Sequence, residues 1–164
     1  MKKILIMRHA KSDWSDGSLR DFDRPLNDRG KKAAPLMGRE IKSLGITPDL
    51  IISSPALRAR MTAEAVAENC DYQNDIIWND SFYFGYTNEI INAIKSVDET
   101  IHSVMIFGHN PTWSTVAEIL SGEFISMKTA DVVVLEFEGK WKKVDKDKCK
   151  LVEHLNPKML EKNK

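Results

Sequence analysis

The run Lys3-Ile4-Leu5-Ile6-Met7 breaks off at Arg8-His9, an arginine and a histidine side by side. An apolar run of that length between polar flanks reads as a strand buried on both faces, the kind found inside a parallel sheet. Arg8 and His9 then stand at its carboxyl end, where open α/β sheets place ligands. Two later runs have the same form. Leu50-Ile51-Ile52-Ser53 leads into Ser54 as a helix cap, Pro55 at the first helical position and Arg58 in the first turn. Val104-Met105-Ile106-Phe107 leads through Gly108 into His109, with Asn110 as the cap and Pro111 opening the helix.

Three strand ends therefore deliver two arginines and two histidines. Arginine offers a fixed fork of donors suited to phosphate, and a neutral imidazole beside it offers a nucleophilic nitrogen. Helix N-termini opening at the same edge add unpaired N–H groups and the positive end of a dipole. Together these residue types make an anion pocket with phosphoryl chemistry. A metaphosphate-like transition state needs mostly positioning and cationic donors, and nothing in this set requires a metal. His9 must be neutral to attack, which calls for an acceptor on its other ring nitrogen. His109 against a bound dianion would favour its protonated form.

Between these runs the pattern alternates. Asn27 caps a helix with Ala33, Met37, Ile41 and Leu44 on one face, ended by Gly45. Strand Leu50–Ser53, helix Ala56–Glu68, a strand near Ile76–Trp78, one short helix at Asn88–Ser96, strand Ser103–Phe107, helix Thr112–Leu120 and strand Asp131–Phe137 follow, with a closing strand near Lys150–His154. Such alternation predicts an α/β fold: a mostly parallel central sheet with helices on both faces. The lysines between Lys140 and Lys150 read as solvated edge-strand residues. Residues 1–157 read as one domain and 158–164 as a frayed tail.

Four blocks carry a family resemblance: Arg8-His9-Ala10, Arg24-Pro25-Leu26-Asn27-Asp28-Arg29-Gly30, Ser53 through Glu64, and Gly108-His109-Asn110-Pro111. In order and spacing they resemble the histidine phosphatase superfamily, in particular its short phosphohistidine phosphatase branch, and the likeness runs from Lys3 to about Leu155. The resemblance implies a three-layer α/β/α, phosphoglycerate mutase-like fold and no cofactor. It implies that His9 is the phosphorylated nucleophile, that Arg8 and Arg58 bind the phosphoryl oxygens, and that His109 completes the pocket. Ala10 stands where the branch commonly has Gly, and Asn27 where it often has Thr.

The leaving group sets the substrate. Larger members of the superfamily use a carboxylic acid beyond the third strand, but Trp78 to Tyr86 offers none in clean register. Asp80 and Glu89 are the nearest candidates for a general acid, with surface solvation or helix capping as the plainer roles. Expelling an alkoxide without a proton donor forfeits roughly 10²–10⁴ in rate, whereas an imidazole can leave neutral. The expected function is therefore hydrolysis of phosphohistidine on a partner protein. The alternatives are a small-molecule phosphomonoesterase using the same residues and a non-catalytic phosphate-binding module.

The 164 residues carry 24 basic and 24 acidic side chains, so no nucleic-acid footprint is expected. The first apolar run is too short to span a bilayer and no leader is apparent, so no membrane partner and a cytoplasmic location are expected. Cys70 and Cys149 lack paired spacing and read as reduced thiols. Oligomeric state is left open. Asp21-Phe22-Asp23 lacks the strand that an aspartyl-phosphate phosphatase needs before it, and neither cysteine has an arginine six residues on. The segment Lys11–Leu26 is long for a connection and suggests a role at the site, with Lys11, Ser12, Trp14 and Phe22 as its candidates.

Overall fold

Strand β1 (Lys2–Arg8) lies inside a six-stranded sheet, between β4 (Ser103–Gly108) and β5 (Val132–Phe137). The structure is a computed structural model and describes residues 1–162. With β2 (Leu50–Ser53), β3 (Ile76–Trp78) and β6 (Lys150–Leu155) the spatial order is β3-β2-β4-β1-β5-β6. The pairs β1/β4, β4/β2 and β2/β3 are parallel, while β5 runs antiparallel to both β1 and β6. The mostly parallel sheet is thus as expected, with the antiparallel β5, next to the edge strand β6, making it mixed.

Ile4, Leu5, Ile6 and Met7 are all fully buried, which explains an uninterrupted apolar run in place of alternation. Ile4 and Ile6 join a core with α4 (Thr87–Lys95) and α5 (Thr112–Ser121), beside the short α3 (Ser81–Phe84). Leu5 and Met7 join the other core, with α1 (Asp28–Ser43) and α2 (Leu57–Asn69). These are the three layers. Cys70 and Cys149 are free and buried in opposite cores. Among the described residues no helix is long and apolar enough to cross a membrane.

Asn27 caps α1 as expected, its side chain accepting from the Gly30 N–H at 2.9 Å. Gly45, at φ +70°, turns the chain away afterwards. The helix stops at Ser43, so Leu44 leaves the buried stripe and is 42% exposed. Two helices, α3 and α4, replace the single short one expected between β3 and β4. The lysine-rich stretch is not an edge strand: Trp141–Lys143 is a 3₁₀ turn that buries Trp141, and β6 starts only at Lys150. The indole of Trp141 donates to the Ile101 carbonyl at 2.8 Å, and that anchor fixes the turn. Where a frayed tail was expected, Pro157–Lys162 form helix α6, and Leu160 packs on the α1 side of the sheet. Residues 163–164 lie outside the described residues.

Candidate active site

The backbone leaving β1 is held from both neighbouring strands. His9 N–H donates to the Gly108 carbonyl at 3.0 Å, Arg8 N–H donates to the Asp131 carbonyl at 3.2 Å, and Ala130 N–H donates to the Arg8 and His9 carbonyls at 3.1 and 3.0 Å. His9 is 7% exposed, and its Nδ1 lies 2.7 Å from the Ala10 carbonyl oxygen. A carbonyl only accepts, so Nδ1 carries the proton and Nε2 keeps a lone pair. This is the acceptor the sequence left unidentified. Burial, followed by the Arg58 and Arg8 charges, lowers the His9 pKa from 6.5 to about 4 against the opposing Ala10 bond. Ala10 is fully buried and is not among the left-handed residues, so the missing glycine is accommodated.

Arg58 sits in the first turn of α2, buried to 7% exposure. Its helix begins at Leu57 with Ala56 as the N-cap, so Ser54 is not the cap expected and Pro55 is not the first helical residue. Ser54 instead faces the site: its Oγ accepts from the Ala56 N–H at 3.2 Å and lies 2.8 Å from His109 Nε2. The His109 ring centroid is 5.2 Å from that of His9. Burial, then the proximity of His9 and Arg58, brings the His109 pKa down to about 3, so without an anion the ring is neutral. The N-cap of α5 is Pro111, so Asn110 is one residue outside the capping position expected and Pro111 does not open the helix; the Asn110 Oδ1 still accepts from the Ser114 N–H at 3.0 Å. Arg8 Nη1 donates to the Met127 carbonyl at 3.1 Å. Arg8, His9, Arg58 and His109 thus converge at the carboxyl ends of β1, β2 and β4.

Asp80 and Glu89 do not join them. Asp80 is exposed ahead of α3, and Glu89 accepts from the Tyr86 N–H at 3.2 Å in a capping interaction. The carboxylate that does reach the site is Asp21, in a 3₁₀ turn of the long loop. Arg58 Nη1 donates to the Asp21 carbonyl at 2.7 Å, Arg58 Nη2 to its carboxylate at 3.0 Å, and the Tyr83 hydroxyl to the same oxygen at 2.7 Å. Partial burial works against the charge on Asp21, but the Tyr83 and Arg58 hydrogen bonds outweigh it and hold the carboxyl below its ordinary range. Tyr83 also meets the His109 ring edge-on at 5.5 Å and Phe22 at 5.1 Å. Only the length of the loop signalled Asp21 in advance.

Two other loop candidates, Ser12 and Trp14, serve the loop itself. Trp14 is 62% exposed, donates to Ser12 Oγ at 2.9 Å and lies under the Arg24 guanidinium at 4.2 Å. Thr62, fully buried in α2, has a larger part: its hydroxyl donates to the Arg58 carbonyl at 2.7 Å and accepts from the Ala10 N–H at 3.0 Å. One side chain therefore ties the helix of Arg58 to Ala10, the residue whose carbonyl orients His9.

Residues 4–80 match the family profile of the histidine phosphatase superfamily (branch 1). An uncharacterised chloroplastic protein of Arabidopsis thaliana is 36% identical over 150 residues, covering 85% of this chain and 69% of its own length. The chain belongs to the histidine phosphatase superfamily. An uncharacterised protein of Mycobacterium tuberculosis is 31% identical over 150 residues, 85% of this chain and 92% of its own. A solved structure from Agrobacterium tumefaciens, named for the phosphohistidine phosphatase SixA, superposes with a TM-score of 0.83 at 29% identity and covers 95% of this chain and 98% of that one. As a histidine phosphatase with the phosphoglycerate mutase-like fold, the chain is a phosphatase.

Proposed function

We propose that this phosphatase hydrolyses phosphohistidine on a partner protein through a phosphoryl intermediate on His9. Nε2 of His9 attacks phosphorus, the bond from phosphorus to the substrate imidazole breaks, and that imidazole leaves neutral after taking a proton from water. Water then attacks phospho-His9, releasing phosphate and restoring the lone pair on Nε2. Arg8 and Arg58 hold the phosphoryl oxygens, Arg58 exchanging the Asp21 carboxylate for the substrate. His109 closes the opposite side, where a bound dianion favours its protonation.

The observation that carries this reading is the state of Asp21. Its carboxylate is bound to Arg58, and its bonds to Arg58 and Tyr83 keep it ionised at neutral pH. An ionised carboxylate has no proton for an alkoxide, whereas a phosphoramidate needs none from it. The short α3 and α4, with no inserted cap domain between β3 and β4, suit a side chain presented by another protein. The catalytic unit is proposed as residues 1–157, and a cytoplasmic location is proposed from two free thiols buried in separate cores.

Parallel turnover of a phosphohistidine protein and of aliphatic phosphate esters tests the reading. A preference for phosphohistidine of about 10² or more is expected. A preference for the esters would move the assignment to a small-molecule phosphomonoesterase, and phosphate binding without turnover of either would mark a binding module.

A further inference from the structure

A cleft of about 450 Å³ is lined by Arg8 but not by His9, and is bounded by the first turns of α1, the segment leading into β5, and α6. Six cationic side chains line it: Arg8, Lys11, Arg29, Lys32, Lys128 and Lys158. They come from four separate places in the chain and, among the described residues, none of them is within ion-pair distance of a carboxylate. Two carboxylates share the lining. Asp131 is buried and its Oδ2 is engaged by His154 Nε2 and the Lys128 N–H, both at 2.9 Å, and Glu161 lies at the rim on α6.

The chain as a whole has no net charge, so this accumulation does not follow from a basic composition. Six cations against two carboxylates around a concavity leave an excess of like charge that repels itself and focuses a positive potential in it, a standing cost that a bound anion lowers. The shape narrows the choice of anion. The volume is that of a small-molecule site, and the cations surround a cavity and do not extend as the stripe a nucleic acid follows.

We infer that this cleft is a second anion site that takes a compact polyanion bearing two or more phosphate groups. Arg8 is the residue it shares with the catalytic pocket, so occupancy of the cleft bears on the charge and placement of a phosphoryl-binding side chain. The polyanion is either a free ligand or the distal phosphate of a substrate whose other phosphate reaches His9. This inference does not rest on phosphohistidine being the substrate.

The test is calorimetric titration of the full chain with inorganic tripolyphosphate at low salt, where surface electrostatics are least screened. Wild type and Arg58→Ala are expected to bind within about threefold of each other, and Lys32→Glu with Lys158→Glu to bind about tenfold or more weakly. That double variant is expected to turn over para-nitrophenyl phosphate within about twofold of wild type, since neither lysine belongs to the catalytic pocket. Absence of binding by wild type would overturn the inference. So would loss in Arg58→Ala alone, or equal weakening by Lys142→Glu with Lys146→Glu elsewhere on the surface. A bisphosphate ester whose KM rises about tenfold in the double variant, its monophosphate unchanged, identifies the distal phosphate as occupant; weakened tripolyphosphate binding with unchanged ester kinetics identifies a free anion.

Discussion

Arg58 grips Asp21 twice, with one guanidinium nitrogen on its carbonyl at 2.7 Å and another on its carboxylate at 3.0 Å. A buried arginine proposed to bind phosphate is thus already occupied by an anion belonging to the chain. On the proposed mechanism, substrate displaces it. Asp21→Asn is expected to tighten competitive inhibition by inorganic phosphate by roughly threefold, a modest gain because the carboxylate is half exposed and screened. An inhibition constant that rises would show that Asp21 positions Arg58 and does not compete for it.

Nε2 of His9 is the ring nitrogen left with a lone pair. Rapid quenching after mixing with labelled substrate, followed by peptide mapping, is expected to place the phosphoryl group on His9. His9→Ala is expected to lose at least about 10³-fold in kcat/KM and all trapped label. Label on another residue would remove the mechanism.

Both imidazoles are held far below 6.5, His9 at about 4 and His109 at about 3. Unfolding lets each bind a proton that the folded chain excludes, so stability is full above about 6.5 and falls as the pH drops toward these values. By pH 5 the loss is about 2 kcal/mol per ring. A Tm about 5 °C or more lower at pH 5 than at pH 7 is expected from calorimetry, with a smaller drop in His109→Gln. Saturating phosphate should oppose the loss, since it favours the charged form of His109. An unchanged Tm across this range would contradict the burial of the two rings.

Thr62 is fully buried and acts through its neighbours. Thr62→Val leaves the buried Ala10 N–H without an acceptor, at a cost of about 1–3 kcal/mol. Because the Ala10 carbonyl holds the His9 ring, kcat is expected to fall about tenfold or more with KM little changed, and Thr62→Ser to restore most of it. A merely structural role would lower Tm while leaving kcat per folded molecule intact.

Strand ends and residue types were legible because each depends on local pattern. An apolar run that stops at Arg8-His9 announces both its burial and its exit, and the same holds for the runs before Arg58 and His109. Asp21 was not legible, since a carboxylate in a polar loop looks the same whether it faces water or a guanidinium contributed 37 residues later. Ser54 was read as a cap because Ser-Pro is the usual cap signature, but the bond from Ser54 to His109 crosses 55 residues. Trp141 was hidden among lysines, its burial set by a carbonyl 40 residues away. Each of these errors concerns a side chain whose partner is distant in sequence.

His9, the proposed nucleophile, follows an interior strand that is tied to one parallel and one antiparallel neighbour. Amides in such a position exchange with solvent only when the whole domain opens, unlike those of sites carried on mobile loops. Turnover should therefore persist up to the denaturation midpoint and then disappear cooperatively with the fold, leaving no inactive but folded species in between. In this enzyme a residual-activity curve would serve as a measure of global stability.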